Sequence, residues 1–283
     1  MTSTGDHVLR AMTNDGAFRV IAARTTDLVN GAALAQNARG STLTSFAELL
    51  TGATVFREVM SPHQRVQLIV SGAKGVGALV ADSLPDGLAR GLVTLGSGGA
   101  DVALGEGARL RMVRGLGSGQ YHEGVVALDQ RISDGLTTYL SNAQKSAITI
   151  GLAAIVKDGR VELAGGYAVQ ALPEASRGLL MIMTERLEQL TDTRELMSRT
   201  AGEPSKVVDE ILFGMAFTEL ESRPVAFGCI CDEARVMAAL ATLGRAEIED
   251  AIGAGKMLEM SCDYCGREYR IQPERLRALL DPS

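Results

Sequence analysis

The chain has 283 residues and a formal net charge of −6 at pH 7. This acidic balance counts against binding of DNA or RNA through the phosphate backbone, which requires clustered Lys and Arg. A chain of this length can bury a sizeable core and still carry a small second domain.

Residues 1–177 are predicted to form an α+β core domain of mixed sheet and helix. The period of the apolar residues indicates, in chain order, a strand over 18–24, two helices within 26–57 with a break at Gly40, strands over 66–70, 77–81, 88–93 and 121–128, a helix over 133–144, and a hairpin over 149–170. The strands over 66–93 are expected to form an antiparallel meander. Asp158-Gly159 is a typical turn for the last hairpin.

The glycine-rich stretch 96–119 contains two runs, at 96–99 and 115–119. Neither run has the glycine spacing and following helix of a dinucleotide site, and Lys74 lacks the flanking residues of a phosphate loop. We interpret both runs as hairpin turns and expect no nucleotide cofactor.

No catalytic constellation is recognised in the chain. The three histidines (His7, His63 and His122) are scattered, and none has a cysteine or carboxylate cluster nearby in sequence. His122 and Glu123 are adjacent on a predicted strand, so their side chains point to opposite faces. We therefore expect a protein that is not an enzyme.

Residues 178–226 are predicted to form a helical linker. Two apolar stripes at helical spacing support this prediction. They consist of Leu179, Leu180, Met183, Leu187 and Leu190 in the first helix and of Val207, Val208, Ile211, Leu212 and Met215 in a second helix that begins at Pro204. Such helices either pack permanently on the core or dock conditionally, and the stripes are consistent with both.

All four cysteines of the chain lie in residues 227–283, which are predicted to form a small C-terminal zinc-binding module. Cys229 and Cys231 form one close pair, and Cys262 and Cys265 form another about thirty residues later. Two close pairs joined by an insert are the spacing of a tetrahedral site with four thiolate ligands. We expect one Zn²⁺ per reduced chain, bound by all four cysteines.

The rest of this module is predicted to have a thin apolar core. The expected elements are a helix capped by Asp232 with Val236, Leu240 and Leu243 on one face, a short helix with Ile248, Ala251 and Ile252, a hairpin with the second cysteine pair at its tip, and a closing helix from Pro273 with Leu276, Leu279 and Leu280. Gly266 allows the tight turn that directs N–H groups at thiolate sulfurs. Metal binding is therefore expected to supply much of the folding free energy, on the order of 10 kcal/mol.

The cysteine pairs by themselves are consistent with two roles. A structural zinc would simply hold together a domain that is too small to fold alone. A disulfide within a Cys-x-Cys pair, however, closes a small strained ring and is labile, so the same four thiolates would also serve as an oxidant sensor. The spacing does not separate the two roles.

The chain resembles the bacterial heat-shock chaperone of thirty-three kilodaltons, a family of redox-regulated holdases. The family's zinc module is matched by the four cysteines together with Tyr264 and Tyr269. The segment 164–173 (Ala-Gly-Gly-Tyr-Ala-Val-Gln-Ala-Leu-Pro) resembles the end of the family's core domain. After Cys231, however, this chain has Asp-Glu-Ala-Arg where the family usually has Ser-Arg-Glu-Arg.

This resemblance implies an ATP-independent holdase chaperone that is idle when reduced and zinc-bound. Oxidation is then expected to pair Cys229 with Cys231 and Cys262 with Cys265, to release zinc, and to unfold the module and the linker. The exposed apolar surface would bind unfolding client proteins. We expect a homodimer in the active state.

Two other functions remain open on the sequence. One is a zinc-ribbon module for a nucleic acid or protein partner, fused to an α/β domain, although the acidic pI near 5.3 argues against nucleic acid. The other is a thiol oxidoreductase that uses Cys262 and Cys265, but that chemistry normally places the pair at a helix N-terminus.

Residues 1–6 lack the basic and apolar regions of a signal peptide, and no apolar run approaches the length of a membrane span. We expect a cytoplasmic protein with no membrane partner. In this reducing compartment, paired cysteines are more often metal ligands or redox sensors than permanent disulfides.

Overall fold

The computed structural model describes residues 5–60, 63–115, 120–144, 147–190, 192–253, 255 and 257–280. The chain divides into two compact units, Met1–Phe227 and Gly228–Ser283. Most of the glycine run at 115–119 lies outside the described residues. No helix in the described ranges combines the length and the apolar composition needed to cross a bilayer.

Strands and helices alternate irregularly along the first unit, which gives the predicted α+β class. In chain order they are β1 (His7–Thr13), β2 (Phe18–Arg24), α1 (Thr26–Gln36), α2 (Gly40–Val59), β3 (Val66–Ser71), β4 (Ala78–Ser83), β5 (Leu88–Thr94), β6 (Arg109–Gly115), β7 (Tyr121–Ala127), α3 (Ile132–Gln144), β8 (Ile148–Lys157), β9 (Arg160–Ala171), α4 (Arg177–Gln189), α5 (Thr193–Thr200), α6 (Pro204–Ile211), β10 (Phe217–Pro224) and β11 (Ala226–Phe227).

The first sheet has the strand order β10-β1-β2-β9-β8, and its neighbouring strands are antiparallel. Helices pack on both faces of this sheet. Successive side chains of a strand point to opposite faces, so neighbouring residues belong to different clusters. Ile21 packs into the cluster around α1 and α2, whereas its neighbour Val20 packs into the cluster around α4, α5 and α6. This two-sided burial explains why β2 is apolar at nearly every position.

The second sheet has the order β11-β5-β4-β3-β6-β7. The meander of β3, β4 and β5 confirms the prediction. Strand β6 lies between the two glycine runs and was not predicted, although exposed Arg109 and Arg111 alternate there with buried Leu110 and Met112. This two-residue period is the signal for a strand, and the surrounding glycines obscured it.

Helix α2 lies between the two sheets and is the centre of the core. Phe46, Leu49, Leu50 and Ala53 are fully buried on different sides of the helix. A helix that is apolar all round must be enclosed by other elements. Here β4 contacts it from one sheet, and β2, β8 and β9 contact it from the other.

Helices α4, α5 and α6 cover the outer face of the first sheet. The stripe predicted for α6 is confirmed, since Val207, Val208 and Ile211 are buried. On α4 only Met183 is buried, and Leu180 of the predicted stripe is 36% exposed. After these helices the chain returns to the same sheet as β10, an edge strand that the sequence analysis did not predict.

The second unit consists of α7 (Glu233–Leu240), α8 (Arg245–Gly253), β12 (Leu258–Ser261), β13 (Glu268–Ile271) and α9 (Pro273–Arg277). Among the residues of this unit that the structure describes, the buried apolar cluster consists of Leu240, Ile248, Ile271 and Leu276. The prediction that Leu243 lies on the apolar face of the first helix is wrong, because α7 ends at Leu240 and Leu243 is 45% exposed. The side chain of Ala251 lies outside the described residues.

Candidate metal centre

The first cysteine pair lies on the loop that leads into α7. Cys229 and Cys231 precede Asp232, whose carboxylate accepts a hydrogen bond of 2.7 Å from the backbone N–H of Arg235. This N-cap fixes the point at which the helix begins, as the sequence predicts. The cap therefore also fixes the loop position of Cys231.

The second pair lies at the tip of the β12–β13 hairpin. Strand pairing ends at Ser261 and Glu268, and the N–H of Cys262 then donates to the carbonyl of Arg267 at 2.9 Å. Gly266 closes the turn with φ +71° and donates its N–H to the carbonyl of Cys262 at 2.8 Å. A side chain is strained at such a φ, which explains the need for glycine here.

Backbone N–H groups of this turn are directed at the sulfur atoms. Those of Tyr264 and Cys265 donate to the sulfur of Cys262, and that of Arg267 donates to the sulfur of Cys265. Such donors stabilise thiolates over thiols, because they supply positive charge to the sulfur. The hairpin tip is therefore built to hold negative sulfur.

The structure brings the four predicted cysteines together. The sulfur of Cys231 lies 3.4 Å from that of Cys265, and the sulfur of Cys229 lies 3.7 Å from that of Cys262. All four sulfur atoms lie within 4.8 Å of one another. With metal–sulfur bonds of about 2.3 Å, a tetrahedral zinc site has sulfur atoms roughly 3.8 Å apart. The cluster therefore has the dimensions of a four-thiolate metal site.

The thiols compete for protons when no metal is present. Burial raises the pKa of the Cys231 thiol, but its contacts with the Tyr269 hydroxyl and the other thiols outweigh burial and lower this pKa to about 7. Burial and the neighbouring thiols raise the pKa of Cys265 to about 12. One thiolate surrounded by thiols is thus favoured over several thiolates, and only a cation makes four thiolates compatible.

Two residues beside the cluster modulate its charge. The hydroxyl of Tyr269 is buried next to Cys231, although it forms no hydrogen bond of regular geometry. Arg267 places its positive charge near Cys231 and Cys265. Arg267 was not among the site residues predicted from the sequence, where the available signal was a basic residue two positions after the second cysteine pair.

Other candidate ligands do not gather elsewhere. Within the described residues, the four cysteines are the only group of three or more His, Cys, Asp or Glu side chains that is close enough to share an ion. The Nδ1–H of His7 donates to the carbonyl of Gly5, Nε2 of His7 lies 3.4 Å from Glu203, and His122 contacts the hydroxyl of Tyr139. Both histidines therefore have polar partners outside the cysteine cluster.

A comparison with known families decides the assignment. A family model described as Hsp33 protein matches residues 6–272. The chain belongs to the Hsp33 family. The resemblance noted from the cysteine pattern is thereby confirmed.

Several curated relatives of this Hsp33 chain span almost its whole length. A protein named 33 kDa chaperonin from Syntrophotalea carbinolica is 29% identical, with 97% of this chain and 99% of the relative covered. The protein of that name from Bacillus subtilis is 28% identical, with 98% of each chain covered. These relatives are named as chaperonins, which confirms the expectation that the chain is not an enzyme.

A solved structure supports the fold. The 33 kDa chaperonin from Thermotoga maritima superposes with a TM-score of 0.81 at 22% identity, and 97% of each chain is covered. The α+β architecture with a C-terminal four-cysteine unit is therefore the fold of this Hsp33 chain.

Proposed function

We propose that this protein is a redox-regulated, ATP-independent holdase chaperone that is idle when reduced and zinc-bound. Oxidation of Cys229, Cys231, Cys262 and Cys265 releases the zinc and activates it. The observation that carries the proposal is that four clustered thiols lie in a unit whose buried apolar cluster, among the described residues, is small. Losing the metal from such a unit removes much of its folding free energy.

The ligand set supports zinc as the metal. Four cysteine sulfurs in a tetrahedral cluster select soft or borderline metal ions such as zinc over magnesium or calcium, which prefer oxygen ligands. The backbone N–H groups at the hairpin tip fit thiolate ligands as well. One zinc per reduced chain is therefore the proposed cofactor, and it would fix the four thiolates in place.

The oxidation step converts thiolates to disulfides. A thiolate attacks peroxide, which leaves a sulfenic acid and releases hydroxide, and the second thiolate of the pair then displaces hydroxide to form the disulfide. The local pairs Cys229–Cys231 and Cys262–Cys265 each consume one peroxide in this way. Disulfide sulfurs do not ligate zinc as thiolates do, so oxidation and metal release are coupled.

The helices of residues 178–226 are the proposed conditional linker. They cover a sheet face that includes Leu9, Phe18, Val20 and Val169, all of which are buried beneath them. If the helices undock, this face and their own apolar stripe become accessible. Continuous apolar patches of this kind bind other proteins.

Unfolding proteins are the proposed clients, and the remaining parts of the proposal follow from the composition and the family. The active state is proposed to be a homodimer in the cytoplasm, with neither nucleic acid nor membrane as a partner. The oxidoreductase alternative is disfavoured, because Cys262 and Cys265 lie in a hairpin turn rather than at a helix N-terminus.

The deciding experiment follows zinc and chaperone activity in one sample. Reduced, zinc-loaded protein should fail to suppress aggregation of a heat-unfolded client enzyme. Peroxide with mild heat should switch suppression on while a chromogenic chelator records zinc release, and dithiothreitol with zinc should switch it off. Equal suppression in both states would leave a constitutive chaperone and remove the redox part of the proposal.

A further inference from the structure

A second concave site lies on the first unit, far along the chain from the cysteines. It is enclosed by the C-terminal end of α1, the start of α2 and the turn between β8 and β9, and its volume is about 700 Å³. Pockets of this size typically hold small organic ligands. The lining combines apolar Leu34, Ala38 and Leu43 with the charged side chains of Arg39 and Arg160.

The walls of this pocket are fixed before any ligand binds. The amide of Asn30 donates to the carbonyls of Thr26 at 3.0 Å and Val161 at 2.8 Å, and it accepts a hydrogen bond of 3.2 Å from the N–H of Val161. These bonds clamp the β8–β9 hairpin to α1. Because the walls are already ordered, a ligand does not have to offset the entropy of ordering them.

The charge of the pocket runs against the composition of the chain. Acidic residues outnumber basic ones by 34 to 28 in the sequence, yet two arginines and no carboxylate line the pocket. Arg39 uses its Nε–H to bind the side chain of Asn37 at 3.1 Å. Arg160 has no ion-pair partner among the described residues, and Asp158 in the nearby turn does not line the pocket. Two guanidinium groups are therefore available to an anion.

The apolar part of the lining includes the unusual side chain of Leu34. This residue is 84% exposed, more than any other large apolar side chain in the described ranges. A single exposed leucine is common on protein surfaces. Here it continues the apolar lining formed by Ala38 and Leu43, both of which are buried. An apolar ligand chain would therefore contact exposed Leu34 together with the edge of the buried core at Ala38 and Leu43.

We propose that this pocket binds a small aliphatic carboxylate, meaning an acyl chain that ends in a free carboxylate. The carboxylate is held between Arg39 and Arg160, since guanidinium groups match carboxylates in geometry and charge. The chain lies along Leu34, Ala38 and Leu43. A metal ion does not fit the pocket, because no carboxylate, thiol or imidazole lines it. Inorganic phosphate would leave the apolar lining unused.

The test uses the full chain in its reduced, zinc-loaded form, with sodium octanoate as the probe. Calorimetric titration should give saturable binding of one octanoate per chain, and amide resonances of Leu34 and Gly159 should shift. Acetate, which lacks the long alkyl chain, and 1-octanol, which lacks the carboxylate, should both bind much more weakly. These arms separate recognition of the carboxylate from plain apolar adsorption.

Three variants locate the binding. Arg160→Gln and Arg39→Gln should each weaken octanoate binding about tenfold or more, which is typical for loss of a charged hydrogen bond. Leu34→Gln should also weaken it, and this exposed site tolerates a polar side chain without unfolding. Arg109→Gln removes an exposed arginine from β6 and is the matched control that should bind octanoate as the wild type does.

The proposal is overturned if octanoate shows no saturable binding, if octanol binds as tightly, or if Arg160→Gln and Arg109→Gln behave alike. A peptide with a free C-terminal leucine and its amidated form provide a last arm. Binding of the free-acid peptide at this pocket without binding of octanoate would assign the pocket to chain ends and refute the small-molecule ligand. None of these outcomes depends on the redox proposal, because all are measured in reduced protein.

Discussion

The sulfur of Cys231 lies 3.4 Å from that of Cys265, and this contact joins one cysteine pair to the other. A metal held by both pairs crosslinks the two ends of the insert between Cys231 and Cys262. Disulfides within each pair would leave that insert without a crosslink. The choice of partner therefore determines whether oxidation keeps or removes the constraint.

We expect peptide mapping of the oxidised protein to find the local disulfides Cys229–Cys231 and Cys262–Cys265. Because this pairing opens the insert, proteolysis within residues 232–261 should speed up on oxidation. The reduced, zinc-loaded protein is the control. Recovery of a Cys231–Cys265 disulfide as the main product would contradict the proposed switch, since the module would remain crosslinked.

Metal analysis of reduced protein should give one zinc per chain, with no free thiol by quantitative thiol titration until the metal is chelated. Cys265→Ser should lower zinc affinity by more than about a hundredfold, because even outer-shell changes cost 10- to 100-fold. Ser261→Ala, a change next to the site that removes no ligand, serves as the control. A Cys265→Ser protein with full affinity would refute the four-thiolate assignment.

Hydrogen exchange should reveal the order in which protection is lost after oxidation. The small apolar cluster of the second unit predicts that Gly228–Ser283 loses protection first, followed by α4, α5 and α6. Strands β2, β8 and β9 should change little. Helices that stay as protected as these strands after zinc has left would show that the linker is only structural.

Weakening the docking of the linker helices should activate the reduced protein in part. Ile211 is fully buried against the first sheet, and Ile211→Ala should cost about 2–5 kcal/mol of packing free energy. Ile150→Ala, an equivalent change on the opposite side of that sheet, is the matched control. Aggregation suppression by reduced protein should rise in the first variant more than in the second, and equal effects would point to general destabilisation.

The stability of the first unit should depend on the titration of Glu48. Burial raises the pKa of this carboxyl above its usual 4.5, and the guanidinium of Arg194, 4.0 Å away, offsets only part of the rise. A raised folded-state pKa means that the contribution to stability is complete at low pH and is lost as pH rises through that pKa.

Glu48→Gln removes this titration, so the variant should gain stability relative to the wild type as pH rises from about 4.5, the unshifted value, to neutrality. Chemical denaturation followed by circular dichroism at both pH values measures the difference. Glu185→Gln on the exposed side of α4 is the control. A difference in unfolding free energy that falls with rising pH would contradict the argument.

The cysteine cluster could be predicted from spacing, because two cysteines so close in sequence can bind the same metal ion and the chain has no other cysteines. The strands β2, β3 and β4 were also predicted from the sequence, since they are short runs of mainly apolar residues bounded by turn residues. In these cases the local sequence pattern agrees with the tertiary environment, and such agreement is what allows an element to be predicted from sequence.

The missed elements have a common physical reason. Strand β10 carries exposed Glu219 and half-buried Arg223 because it lies at a sheet edge, where charge prevents pairing with other chains. Helix α5 buries only Leu196 and Met197 as large apolar side chains, too few for a periodic signal. The pocket beside Leu34 combines residues more than a hundred positions apart, which no local pattern reveals.

Strand β10 also changes what release of the linker helices means. The segment that carries α4, α5 and α6 begins after β9 and ends at β10, and both strands belong to one sheet. Undocked, it is a tethered arch rather than a free tail, so its return to the sheet is unimolecular and does not slow on dilution. The tether holds the helices at a high local concentration over the proposed client surface. A bound client would thus face an intramolecular competitor, which gives the chaperone a built-in means of release once the helices can fold again.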